Sequence, residues 1–174
     1  EDGFVPQLGT WLSENGYEAT LINAGVSGDT TAGGASRIDW TLTPDVQGVV
    51  VSLGGNDVLR GISPDVSAEN LDKILSAIAT KGLPVLLIGI EVPNNYGADY
   101  KSEFEAIYPR LADQYGTLYY PNFLQSLING TDISTVLSTY FQSDGIHPNA
   151  AGVNAIVSDI GPIIGQLVEQ AATQ

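Results

Sequence analysis

The stretch LDKILSAIATKGLPVLLIGI, residues 71–90, carries a helix, its stop and a buried strand in succession. Leu71, Ile74, Leu75 and Ile78 stand at i, i+3, i+4 and i+7, which gathers them on one apolar face of a 3.6-residue period. Gly82 lies just past that face, where a helix end favours a residue free to turn left-handed, and Pro84 cannot continue a helix. Val85–Ile90 is then apolar with no alternation, the pattern of a strand covered on both faces. Upstream, Val49–Leu53 is a second such strand. Strands alternating with helices of this length imply α/β architecture with a parallel, helix-covered sheet.

The same reading extends in both directions. Phe4, Leu8, Trp11 and Leu12 predict a first helix, stopped at Asn15-Gly16. Glu18–Ile22 reads as a short strand, and Thr30–Leu42 as a helix entered through Asp29 as N-cap. Tyr100, Phe104, Ile107, Tyr108 and Leu111 mark a helix containing Pro109. Thr117–Tyr120 is a short strand, and Val153, Ile156, Val157, Ile160 and Ile164 mark a C-terminal helix disturbed by Pro162. No repeat or linker divides the chain, so residues 1–174 are expected to form a single domain. The first helix has no strand feeding it. In such sheets chemistry gathers beyond the carboxyl ends of the strands. Four loops qualify: Asn23–Asp29, Gly54–Asp57, Val92–Gly97 and Ser143–Pro148.

Composition narrows the function classes. Lys and Arg total 6 against 20 Asp and Glu, a formal charge of −14, which argues against a nucleic-acid partner. The absence of Cys excludes disulfides, thiolate metal sites and a Cys nucleophile. No apolar run reaches the ~18–20 residues of a membrane span, so no integral membrane segment is expected. The opening Glu1-Asp2 is not a basic leader, so no signal peptide is expected within the sequence. With one His in the chain, any imidazole chemistry runs through His147.

Asp144-Gly145-Ile146-His147-Pro148 is the sharpest local feature. An Asp three residues before a His, across an Asp-Gly turn, brings a carboxylate to the ring Nδ1–H, fixes the tautomer and frees Nε2 as a general base. The structural alternative is a plain turn in which His147 caps a helix with Pro148 at its first position. Asn56, after a buried strand and between glycine and aspartate, carries an amide able to donate to an oxyanion. The alternative there is a Gly-Asn turn in left-handed geometry. Gly28 offers a backbone N–H before a helix start, suited to an anion or simply to a helix-entry loop. Gly25-Val26-Ser27-Gly28-Asp29 is not a G-x-S-x-G elbow, because Asp29 occupies the last glycine's place, and Ser27 reads as a turn hydroxyl. One His with scattered Asp is a weak metal set, and no cofactor motif is present.

Together these segments resemble the SGNH (GDSL-type) hydrolases, in particular the bacterial thioesterase, lysophospholipase and arylesterase group. The residues that carry the resemblance are Asn23–Thr31, Leu53–Gly61, Val92–Gly97, Ala106–Pro109 and Asp144–Pro148, in family order and over nearly the whole chain. The resemblance implies a three-layer α/β/α, flavodoxin-like fold. It implies Gly28 and Asn56 as oxyanion-hole donors, His147 as base and Asp144 as its orienting carboxylate. Val58, Leu59, Arg60 and Gly61 are implied as a mobile loop beside the acyl pocket, with Val92 and Pro93 in its wall. The implied reaction is acyl transfer from a small ester or thioester to a serine, then hydrolysis, with no cofactor. Export to the periplasm or medium is implied by the same likeness.

One family block is not found. The Gly-Asp-Ser-Leu segment that ends the first strand and holds the nucleophile lies, in the family, upstream of the part resembled by Glu1-Asp2-Gly3-Phe4. In a 2-1-3-4-5 sheet the absent strand is central, so Glu18–Ile22 and Val49–Leu53 are expected to flank a gap of about 10 Å, two strand spacings. The expected partner is therefore a separate N-terminal peptide, or a swapped strand, carrying the serine. Two other readings are a catalytically incomplete domain that only binds acyl ligands, and a metal-assisted hydrolase using Asp57, Asp144 and His147.

Overall fold

A computed structural model describes residues 3–128 and 132–173; Glu1 and Asp2, on which the leader expectation rests, lie outside them. Three strands, β1 (Val49–Val51), β2 (Val85–Ile88) and β3 (Leu118–Tyr120), pair in parallel in the order β1-β2-β3. Eight helices accompany them among the described residues: α1 (Phe4–Glu14), α2 (Thr31–Thr41), α3 (Gly55–Leu59), α4 (Pro64–Thr80), α5 (Ala98–Tyr115), α6 (Gln125–Ile128), α7 (Ile133–Tyr140) and α8 (Ala150–Ala172).

All four residues of β2 are buried, and their alternation assembles the layers. Val85 and Leu87 point into one core with Val51, Leu71, Ile74, Ile78, Phe104 and Leu111, beneath α4 and α5. Leu86 and Ile88 point into the other with Leu8, Leu12, Ile156 and Ile160, beneath α1 and α8. The result is three layers, α/β/α. At roughly 1.5–3 kcal/mol per buried aliphatic side chain, β2 alone contributes on the scale of a domain's whole net stability of about 5–15 kcal/mol.

Several expectations are corrected. Glu18–Ile22 forms no strand: it has no ladder partner, most of it faces solvent, and Ile22 is 56% exposed. A strand exists only through its neighbour, and among the described residues β1 pairs with β2 alone, leaving Val50 37% exposed. The N-cap of α2 is Thr30, whose side chain accepts the Gly33 N–H, while Asp29 instead accepts the Thr30 N–H and pairs with Arg37. The strands are shorter than their apolar runs, and α8 continues through Pro162. Helices α6 and α7, four and eight residues long, are too short to carry a long apolar period in the sequence; α7 is capped by Asp132, which accepts the Thr135 N–H. Helix α8 has the length and apolarity of a membrane span, but half of its apolar window is buried within this fold, as in a core helix.

Candidate active site

Asp144 and His147 meet as their spacing predicts. Gly145 turns the chain at φ 67°, and Asp144 Oδ1 accepts the N–H groups of Ile146 (2.9 Å) and His147 (3.0 Å). Asp144 Oδ2 lies 2.7 Å from His147 Nδ1, where the ring N–H donates to the carboxylate. These bonds, the one from the His147 ring foremost, hold the Asp144 carboxyl down from its ordinary 3.8 to about 2. The His147 side chain is 69% exposed, and its Nε2 has no hydrogen-bond partner among the described residues. His147 does not cap α8. Asn149 does, accepting the Gly152 N–H, while Pro148 stands outside the helix in a bridge to Phe141. That bridge steadies the turn: Gln142 N–H donates to the His147 carbonyl at 2.8 Å and Asn149 N–H to that of Tyr140 at 2.8 Å.

Gly28 sits at φ 76°, a left-handed turn where a side chain is strained. Its loop is fastened from α2 by Arg37, which donates to Asp29 Oδ2 (2.9 Å) and to the Ala24 carbonyl (2.7 Å). Asn56 lies in the first turn of α3, directly beyond β1. The left-handed residue of that segment is Gly54 rather than Asn56, at φ 119°, and a Cβ there would sit 2.0 Å from the Tyr108 hydroxyl. That hydroxyl donates to the Leu53 carbonyl at 2.8 Å, so Tyr108 of α5 fixes where the strand hands over to the helix. Burial, reinforced by Asp57, raises the Tyr108 pKa and keeps the phenol a donor. Neither the Gly28 N–H nor the Asn56 side-chain amide has a hydrogen-bond partner among the described residues.

The segments implied as pocket walls divide by burial. Val58 and Val92 are enclosed in the core, whereas Leu59, Arg60, Gly61 and Pro93 are exposed. Arg60 donates from Nη2 to the Gly28 carbonyl at 2.8 Å. Tyr100 anchors the far end of the same loop by donating to the Ile62 carbonyl at 2.8 Å. Val92 is held at both backbone atoms: its N–H donates to Glu105 (2.8 Å) and its carbonyl accepts from Lys101 (2.6 Å).

An open, mainly apolar groove of about 580 Å³ runs between the start of α1 (Gly3–Pro6), the loop residues Asn23, Gly25, Val26 and Ser27, and Phe123 beyond β3. Phe4 and Phe123 meet edge-on at 5.2 Å, and Gln7 donates to the Ala150 carbonyl at the start of α8, three residues after His147. These contacts bring the entries to α1 and α8 together at the carboxyl end of the sheet, the end that also carries Asn56 and Val92. The metal reading loses a ligand. Asp57 is fully buried and bonded to Thr31 and Ser67, and no cluster of three His, Asp or Glu residues exists among the described residues.

The GDSL-like Lipase/Acylhydrolase family profile matches residues 1–155. The chain belongs to that family. It is 35% identical to Esterase TesA of Pseudomonas aeruginosa over 95% of this chain and 80% of that protein. It is 39% identical to an Arylesterase of Vibrio mimicus over 79% of this chain and 66% of that protein. To the Thioesterase 1/protease 1/lysophospholipase L1 of Escherichia coli it is 35% identical, over 76% of this chain and 61% of the relative. The crystal structure of TesA superposes with a TM-score of 0.84, covering 95% of this chain and 89% of that one.

Proposed function

We propose that the protein is a single-domain carboxylic ester or thioester hydrolase working through an acyl-serine intermediate. The observation that carries this is the 2.7 Å Asp144–His147 contact, which leaves Nε2 open. His147 takes the proton of the attacking serine and returns it to the leaving group; Asp144 holds the tautomer and balances the imidazolium. The Gly28 N–H and the Asn56 amide, both without partners among the described residues, receive the charge that develops on the carbonyl oxygen. Val58–Gly61 and the Val92–Pro93 wall bound the acyl group.

The nucleophile is assigned to a segment outside these 174 residues, preceding α1 in the chain or held as a separate peptide or swapped strand. No serine hydroxyl bonds His147 among the described residues, and the unpaired edge of β1, with half-exposed Val50, offers a ladder position for the strand that carries one. Gly3, at the N-cap of α1, lines the apolar groove. A periplasmic or secreted location goes with this reading through the family likeness, as does the absence of any cofactor.

Hydrolysis of a short p-nitrophenyl ester by the serine-bearing form tests the proposal. Expected are turnover, loss of turnover with an organophosphonate, indifference to EDTA, and a phosphonylated serine found by mass spectrometry on the N-terminal segment. Full activity from a sample whose denaturing intact mass shows these 174 residues alone sinks the assignment of the nucleophile. The apolar groove favours one second reading, an incomplete domain that only binds acyl chains; fatty-acid binding without turnover supports it.

A further inference from the structure

We infer that Asp57 is a positioning residue for the oxyanion hole: its buried carboxylate locks the segment carrying Gly28 to the helix carrying Asn56. The inference rests on the reading of those two residues as donors. Asp57 is 0% exposed, the one fully buried carboxylate among the described residues, and no cation pairs with it. A buried charge is costly unless its oxygens are filled with hydrogen bonds, and here they are. Oδ2 accepts the Thr31 N–H at 2.9 Å, and Oδ1 accepts the Thr31 hydroxyl at 2.5 Å and the Ser67 hydroxyl at 3.0 Å. Asn70 of α4 donates to Thr31 Oγ1 at 3.2 Å, which turns the Thr31 proton toward Asp57.

Placement gives this cluster its consequence. Asp57 is the immediate neighbour of Asn56, and Thr31 opens the helix that follows the Gly28 turn. One carboxylate thus bridges the two donors, with α4 braced behind it through Ser67 and Asn70. An apolar side chain would fill the same volume without the cost of burying a charge. What the carboxylate adds is direction, because three donors from two helices converge on fixed lone pairs. Displacements of about 1 Å in a catalytic constellation cost on the order of 100-fold in rate. The Arg60 bond to the Gly28 carbonyl is a second tie between the same segments, but an exposed one.

The test uses the serine-bearing, ester-hydrolysing form. Asp57→Asn preserves shape, and the Thr31 and Ser67 hydroxyls can rotate to accept from the new amide, so folding is kept while the tie is weakened. Expected is a fall in kcat of about 10- to 100-fold per active site titrated with organophosphonate, with KM changed less than twofold. In an Asn56→Ala background the same change should cost less than threefold, since the pair whose spacing it sets is already broken. Thr31→Val, which keeps the backbone N–H, should give a smaller loss of the same kind. Unchanged kcat per titrated site, or a loss equally large with and without Asn56, overturns the role and leaves Asp57 a packing residue. Should Asp57→Asn fail to fold, the Thr31→Val and Asn56→Ala pair decides by the same criterion. A wild-type protein without turnover overturns the hydrolase reading, and this role with it, an outcome distinct from additive losses in an active enzyme.

Discussion

The Asp144–His147 turn and the Gly28–Asn56 pair occupy the same end of the sheet but are held by opposite means. The turn is local and open to solvent: the bonds that shape it lie between Thr139 and Asn149, and its carboxylate is 43% exposed. The donor pair is assembled across the sequence, from the loop before α2 and the helix after β1, through a buried carboxylate and the Tyr108 hydroxyl. The turn therefore carries little of the fold's stability, while the Gly28–Asn56 pair is braced from behind by the buried Asp57. Changes in the first should remove chemistry and leave the fold; changes around the second should touch both.

The largest effect expected is from His147→Ala. Removing the base from a serine hydrolase costs roughly 10⁴- to 10⁶-fold in kcat, whereas an exposed side chain with one local contact shifts stability by no more than about 0.5 kcal/mol. Ester hydrolysis and urea unfolding measured on one preparation check both halves; near-wild-type turnover would remove His147 from the mechanism. Asn56→Ala should follow at about 10²- to 10³-fold in kcat, the usual loss for one oxyanion donor, with KM little altered. A rise in KM alone would make Asn56 a ground-state contact and dissolve its pairing with Gly28.

Gly54→Ala addresses the embedded half through stability. Its φ of 119° strains any side chain, and the new Cβ would fall 2.0 Å from the Tyr108 hydroxyl, which must then leave the Leu53 carbonyl. A loss of about 3 kcal/mol or more is expected from strain and a broken buried hydrogen bond together. The midpoint of chemical denaturation measures it. A loss below ~1 kcal/mol would mean the strand-to-helix junction is softer than the Tyr108 contact implies.

The same contrast explains what the sequence discloses. The Asp144–His147 contact was legible because its geometry depends on spacing within one turn, which residue order alone encodes. The helical face of Leu71–Ile78 and the buried run of β2 were legible for the same reason. Asp57 was not singled out as a brace, since its partners Thr31 and Ser67 come from other elements and no local pattern links them. The strand expected at Glu18–Ile22 failed on the same ground: its residues favour extension, but a strand needs a neighbour, and among the described residues β1 pairs only with β2. Asp29 and Thr30 are both good N-caps, and the choice between them was decided by Arg37 drawing Asp29 away.

The smallest effect lies in the acid titration of the exposed turn. The ring contact from His147 and the backbone N–H groups of His147 and Ile146 hold the Asp144 carboxyl at about 2, below its ordinary 3.8. A carboxyl depressed in the folded state stabilises its turn fully above the unfolded value, and that contribution fades as pH falls through the folded one. Asp144 should therefore remain ionised and bonded at pH 3, losing its hold on His147 only as pH approaches about 2. NMR titration of the Asp144 carboxyl carbon, with the His147 and Ile146 amide shifts followed alongside, reads this directly. A midpoint at or above 3.8 would show that solvent at the exposed turn outcompetes its internal bonds.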